Sequence, residues 1–254
     1  MSVLRHEEAV MPLHSRRRTG HGPVLRGGSA SRRTRALKRA EDMLIGTVLA
    51  VLSLPALLLL TVVSAVVLRS WPLFVQRRPG ARGREFTIVK IRTMPPSAPK
   101  YALKFDIADQ LDNLPAFCKM LRRTHLDELP QLLLVPFGSM SLVGPRPRQP
   151  DCVEPMADDT DALRTSVRPG CTGVWQISEA RSGLIAGAPE YDEFYLRHMS
   201  VRFDLWIMAR TFWYMAGFVR PILLADIPQR VLGARRDRDV VQPVAVPSPG
   251  VAAD

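Results

Sequence analysis

The stretch HLDELPQLLLVPFGSMSLVGPRPRQP, His125 to Pro150, sets two acids side by side, Asp127 and Glu128, ahead of an apolar run. It then places an arginine, Arg146, between two prolines. Adjacent side chains on an α-helix diverge by about 100°, at about 3.6 residues per turn. The two carboxylates therefore suit divided labour at a helix start, one as nucleophile and one as metal ligand. An N-cap followed by a first-turn acid accounts for the same pair, because the helix macrodipole favours both. Around Arg146 the prolines stiffen the backbone and bias it away from helix. A stiff loop presenting a planar guanidinium suits bidentate binding of phosphate. A solvated arginine in a proline-rich loop is the plainer alternative. Lys90, Arg92, Arg122, Arg123 and Arg168 are further basic points.

Charge narrows the partner. Across 254 residues the formal net charge is +11, which points to an anionic partner: nucleic acid, anionic lipid or a phosphorylated substrate. No helix-turn-helix, RNA-binding or zinc-finger signature is present, so nucleic acid is not expected. The three cysteines, Cys118, Cys152 and Cys171, have no C-x-x-C spacing and imply neither a disulfide framework nor a zinc site. A reducing, cytosolic setting follows.

The elements that must position these residues begin with an uncharged run, Met43 to Leu68. As a helix it would extend about 39 Å at about 1.5 Å per residue, more than the roughly 30 Å hydrocarbon core. It lies too far from the N-terminus, and is too long, to be a cleaved signal peptide. Arg32, Arg33, Arg35, Lys38 and Arg39 precede it, and Arg69, Arg77, Arg78, Arg82 and Arg84 follow. Basic residues prefer the cytoplasmic side, and here both flanks claim it. Ser53 and Pro55 sit near the centre. Proline removes a backbone donor, and a serine hydroxyl can bond a freed carbonyl. A re-entrant helix broken there and a proline-kinked single pass both fit. Arg84 to Met94 starts with strand-like alternation, and Asp109 to Arg123 reads as helix. DELPQLLLVPF reads as a short helix capped by Asp127 or Thr124, with Pro130 in its first turn. Pro189 to Leu224 is helical and largely apolar, with Trp206, Trp213 and Tyr214 suited either to a membrane interface or to an ordinary core.

Seven motifs follow in order: KRAED, SLP, FTIVKIRTM, LRRTHLDELPQL, MSLVGPRP, VRPGCTGVWQ and DEFYLRHMSVRFDLWI. Together they resemble the bacterial sugar transferases, small monotopic phosphoglycosyl transferases acting on polyprenyl phosphate. Each motif alone is weak; their order and spacing from Lys38 to Met215 are specific. The resemblance implies that Asp127 is the nucleophile and that Glu128, with Asp127, holds Mg²⁺. It implies that Arg146 and Arg122 contact phosphate, with Lys90, Arg92, Arg168 and Arg181 as further phosphate contacts. It also implies a re-entrant helix broken at Ser53 and Pro55. The expected fold is α+β and mostly helical, with one re-entrant membrane helix over 36–70. A compact cytoplasmic domain over 71–225 carries amphipathic interfacial helices and a minor β element. Disordered tails are expected over 1–35 and 226–254.

The resemblance implies transfer of a sugar 1-phosphate from a UDP-sugar to undecaprenyl phosphate, with release of UMP, through an aspartyl-phosphosugar. That reaction would initiate exopolysaccharide or another surface glycan at the cytoplasmic face of the bacterial inner membrane. Membrane lipid, a second copy in a homodimer and downstream glycosyltransferases are the further expected partners. Some positions depart from the family: Ser139 replaces an acid, Ala116 and Cys118 replace an Arg-x-Gly, and Arg181 falls one residue late. Residues 98–114 match poorly. A catalytically weakened, membrane-anchored scaffold is therefore the alternative. A lipid-anchored nucleic-acid binder is more distant.

Overall fold

The computed structural model describes residues 32–101, 108–150 and 156–232. The tails expected over 1–35 and 226–254 lie mostly outside these residues. Where they are described, Arg32 already begins a helix, and Ile227, Val231 and Leu232 are buried.

Helix α1 spans Arg32–Leu68, with Pro55 inside it. The break expected at Ser53 and Pro55 does not end the helix. Ser53 Oγ donates to the Ala50 carbonyl at 2.8 Å, whereas the carbonyl that Pro55 leaves without its helical donor is that of Val51. One stripe of α1, Lys38, Asp42, Gly46 and Ala50, is buried at four-residue intervals. Gly46 is required there, since a Cβ would meet Val135 Cγ1 at 2.6 Å. Beyond Ala50 the face changes character: Leu52, Leu58, Leu59 and Val66 are exposed. Among the described residues α1 is the only helix long and apolar enough to cross a membrane.

Strand β1 (Leu73–Pro79) pairs antiparallel with β2 (Glu85–Ile91), with Gln76 opposite Ile88. The sequence signalled β2 but not β1, whose LFVQRRP lacks clean alternation. Short helices α2 (Ala108–Asp112) and α3 (Ala116–Arg123) follow, then a 3₁₀ helix over Leu126–Leu134. Strand β3 (Ser141–Val143) runs parallel to β4 (Gly170–Thr172), with α4 (Asp158–Arg164) between them. The helical run expected over 189–224 divides into α5 (Glu190–His198) and α6 (Val201–Met215). The division falls at Ser200, whose side chain accepts from Phe203 N and caps α6.

The core gathers Met140, Val143, Trp175, Ile177, Tyr195, Phe203 and Ile207. α1 is fastened to it by polar contacts from the KRAED motif. Lys38 Nζ meets Asp204 at 2.6 Å, and Asp42 Oδ1 accepts from Ser141 Oγ and Leu142 N, each at 2.9 Å. Arg39 donates to the carbonyls of Val135 and Pro136, both at 2.9 Å. These bonds fix the 3₁₀ helix and β3 relative to α1.

Candidate active site

The 3₁₀ helix carries the acid pair. His125, at its N-cap, sits in the left-handed region at φ 56°. Neither residue expected to cap it does so. Thr124 Oγ1 donates to the Met120 carbonyl at 2.8 Å and so closes α3, while Asp127 lies inside the first turn. Runs of 3₁₀ longer than three or four residues are uncommon, and a long one often marks a functional or strained segment. Lys90 on β2 and Arg146 on the loop after β3 converge on this helix.

The Arg146 loop is pinned from several sides. Gly144 N donates to Thr172 O, and Gly170 N donates to Pro145 O, each at 2.9 Å. Only glycine fits at 170, where a Cβ would fall 2.1 Å from Gly144 N. Arg164 donates to the Arg146 carbonyl at 2.6 Å and pairs with buried Asp192 at 2.6 Å. So held, Arg146 is not a solvated arginine. Its guanidinium grips both oxygens of Glu128, with Nη1 to Oε2 at 3.0 Å. Lys90 Nζ reaches Oε1 of the same carboxylate at 2.7 Å.

The two acids therefore live in opposite conditions. Burial alone would push the Glu128 carboxyl up, but Arg146 and Lys90 hold it well below the usual carboxylate range. Asp127, 8% exposed, accepts no hydrogen bond among the described residues. Burial and then the Glu128 charge push it up to about 6, against the pull of Lys90, Arg122 and Arg146. Burial lowers the Lys90 ammonium, with Glu128 opposing. The nearby thiol of Cys171 is pushed up to about 12 by burial and by Glu128. Protonated at neutral pH, it is no rival nucleophile. Asp127 is thus a carboxylate largely ionised at neutral pH, with no hydrogen-bond partner among the described residues and facing an excess of cations. Such a group can attack an electrophilic phosphorus whose charge the cations offset.

Of the expected phosphate contacts, the structure brings Lys90, Arg146 and Arg122 around the acids. Arg122 acts on Asp127 through its field and donates to Thr93 Oγ1 at 3.2 Å. Arg92 turns elsewhere, donating to the carbonyls of Trp71 and Leu73. Arg168 is bound to the Gly138 carbonyl at 2.8 Å. Arg181 lies over the Tyr214 ring, 4.7 Å from its centroid, with its charge felt at His125 but not in contact with either acid. Two nearby residues were missed. Arg78 on β1 donates to Gln76 Oε1 at 2.8 Å and to the Pro147 carbonyl at 3.3 Å, and its charge reaches Lys90. It stands opposite Phe86 in the hairpin, so recognising β1 would have placed it beside β2. His125 shows no motif spacing; only its place next to the acids marks it.

The Mg²⁺ expected on both acids does not fit this arrangement. Both Glu128 oxygens are engaged by cationic side chains. Among the described residues no group of three His, Cys, Asp or Glu side chains could hold a metal ion.

Comparison with known proteins adds independent information. The profile of a family described as bacterial sugar transferase matches residues 33–217. The UDP-glucose:undecaprenyl-phosphate glucose-1-phosphate transferase of Escherichia coli is 34% identical over 197 residues, covering 73% of this chain and 41% of that protein. The UDP-galactose-lipid carrier transferase of Erwinia amylovora is 32% identical over 198 residues, 72% of this chain and 41% of its own. The exopolysaccharide production protein ExoY of Sinorhizobium fredii is 33% identical over 189 residues, 68% of this chain and 83% of its own. The chain thus spans about two fifths of the first two relatives' length.

Proposed function

The chain belongs to the bacterial sugar transferase family, and from that premise we propose that it transfers a sugar 1-phosphate from a UDP-sugar to undecaprenyl phosphate, initiating an exopolysaccharide or other surface glycan. The names of its relatives support both substrates. The observation that carries the mechanism is the contrast within the acid pair: Asp127 bare, Glu128 locked. An Asp127 oxygen forms a bond to the sugar-bearing phosphorus. The bond from that phosphorus to the bridging oxygen breaks, and its electron pair leaves with UMP. An oxygen of the lipid phosphate then attacks the same phosphorus, and the Asp127 carboxylate departs. Two anions thus never have to attack one another directly. Arg146, Lys90 and Arg122 offset charge on the transferring group.

The seat on the membrane is part of the same proposal. Near one end of α1, Lys38, Arg39 and Asp42 contact the packed domain; near the other, Ser64 Oγ donates to the Arg92 carbonyl at 2.7 Å. Contacts from both ends to one domain support a helix that enters and leaves the inner membrane on the cytoplasmic side. Exposed Phe212, Trp213 and Phe218 near the end of α6 suit the same interface.

The test is mass spectrometry of purified protein given a panel of UDP-sugars without lipid acceptor. A phosphosugar adduct on Asp127, with UMP released, is expected. Absence of both would leave the scaffold alternative standing. Cysteines placed at Arg33 and Arg84, in a background without native cysteines, should resist a membrane-impermeant thiol reagent on intact cells. Labelling of either would establish a single pass.

A further inference from the structure

The strap that carries Arg146, GPRPRQP from Gly144 to Pro150, cannot hold itself as a strand, because prolines at 145, 147 and 150 bring no backbone N–H. Guanidinium groups hold its carbonyls instead: Arg164 at Arg146 (2.6 Å), Arg148 at Gln149 (2.9 Å) and Arg78 at Pro147 (3.3 Å). We propose that Asp192 is a positioning residue of the phosphate site. By orienting Arg164 it fixes the Arg146 backbone, and so sets where the Arg146 guanidinium meets phosphate. The inference rests on reading this site as a phosphate-binding one.

Two short contacts carry it. Arg164 Nη1 pairs with Asp192 Oδ2, and Arg164 Nη2 donates to the Arg146 carbonyl, each at 2.6 Å. The pair is enclosed, with the Arg164 side chain 4% and the Asp192 side chain 1% exposed. Stability is a weak account of such a pair, since replacing both partners by apolar groups is often neutral or stabilising. Direction is a stronger one. A guanidinium is a planar fork, so a carboxylate that holds one prong aims the other. Pro147 already restricts Arg146 to extended conformations. Bonds from Gly144 N to Thr172 O and from Gly170 N to Pro145 O tie the strap to β4 just before Arg146. The Arg164 bond fixes the peptide plane just after it. Arg146 is then held on both sides of its Cα, and its side chain starts toward Glu128 from one fixed place. A misplacement of about 1 Å can cost about 10²-fold in rate. Asp192, on α5, thereby acts on a phosphate it does not touch.

The experiment titrates the full chain in detergent micelles with inorganic pyrophosphate, followed by calorimetry with EDTA present. Asp192→Asn removes a negative charge, so net charge alone would tighten anion binding. The relay implies the opposite, a loss of about tenfold, within the range of coupling inside one hydrogen-bonded network. Asp192→Glu returns the carboxylate and should recover most of that loss. Arg146→Ala keeps the carbonyl that Arg164 holds but removes the guanidinium, leaving Lys90 and Arg122 for the probe. In that background Asp192→Asn should cost nothing further. An unchanged or tighter affinity in Asp192→Asn overturns the proposal, and so does the same loss with and without the Arg146 guanidinium. If Asp192→Asn does not fold, Arg164→Met combined with Asp192→Leu removes the pair without leaving a lone buried charge. It should also lose about tenfold, again only where the Arg146 guanidinium is present; wild-type affinity overturns the relay. The titration needs no turnover. A positive cycle without UMP release from any UDP-sugar would fault the functional reading alone; UMP release with an Asp192 effect independent of Arg146 would fault this inference alone.

Discussion

Two buried polar clusters invite comparison. One joins α1 to α6: Lys38, Glu41, Asp42, Asp204 and Tyr195. The other is the acid pair with Lys90, Arg122 and Arg146. In the first, three carboxyls share one ammonium. Its oxygens are spent on structure: Asp204 accepts from Lys38 at 2.6 Å and from Tyr195 at 2.9 Å, and Asp42 accepts from Ser141 and Leu142. The surplus acid is neutralised by a proton, since burial and then Asp204 push Glu41 up to about 8. In the second, three cations face two carboxylates, and only one carboxylate is tied down. Surplus acid makes a cluster that takes up a proton and stays shut. Surplus cation makes one that awaits an anion. Composition alone does not distinguish a structural knot from a reactive site; the sign of the imbalance and the unengaged atom do.

The largest effect separating the two should come from Asp127→Asn. Turnover of a UDP-sugar is expected to fall by about 10³-fold or more, as for other covalent nucleophiles, with the protein still folded. Retained turnover would move the nucleophile elsewhere. Next in size is Lys38→Met, which leaves Asp42 and Asp204 without their cation. Breaking a buried pair from one side costs about 3–5 kcal/mol. The loss should appear in urea unfolding and weaken every activity alike.

These partnerships differ in how far the sequence reveals them. Asp127, Glu128 and Arg146 stood out because their types and local spacing already imply chemistry. Lys38 looked like one more basic flank residue; its partner Asp204 lies 166 positions away, a separation no periodicity reveals. Lys90 and Arg92 share a parity and should share a strand face. The strand ends at Ile91, however, and Arg92 instead binds the carbonyls of Trp71 and Leu73. The apolar character of α1 was evident from composition. The burial of Ile227, Val231 and Leu232 was not, because isolated apolar residues near a proline-rich end carry no pattern.

A smaller effect sharpens the contrast through pH. Asp127 titrates near 6 in the folded protein against 3.8 ordinarily, so the native state holds its proton more tightly than the unfolded state. Stability then falls as pH rises from about 4 to 6, and the penalty is fully present above that window. Asp127→Asn removes it. Without metal, at pH 8, the inactive variant should be more stable than wild type by on the order of 2–3 kcal/mol, a gain that disappears near pH 4. In the wild type kcat/KM should rise with pH to a midpoint near 6, as the nucleophile loses its proton. A variant less stable than wild type at pH 8 would mean that Asp127 is tied to partners it does not show here.

The gentlest test falls on Glu41→Gln. Glu41 is held near 8 by burial and by Asp204, against 4.5 ordinarily, so at neutral pH it is already neutral in the folded protein. Glutamine replaces a protonated carboxyl with a neutral group of the same shape, and the native contacts around it change little. The unfolded state changes instead, because it loses a carboxylate that would have ionised from about pH 4.5 upward. The raised native value means that stability falls as pH climbs from about 4.5 to 8, and the variant escapes that fall. Its unfolding midpoint should match wild type near pH 4 and exceed it increasingly toward pH 8, with UDP-sugar turnover preserved throughout. The opposite slope, wild type gaining on the variant as pH rises, would show that Glu41 is ionised in the native state. The cluster on α1 would then hold three negative charges against one ammonium, and the contrast with the acid pair would lose its basis.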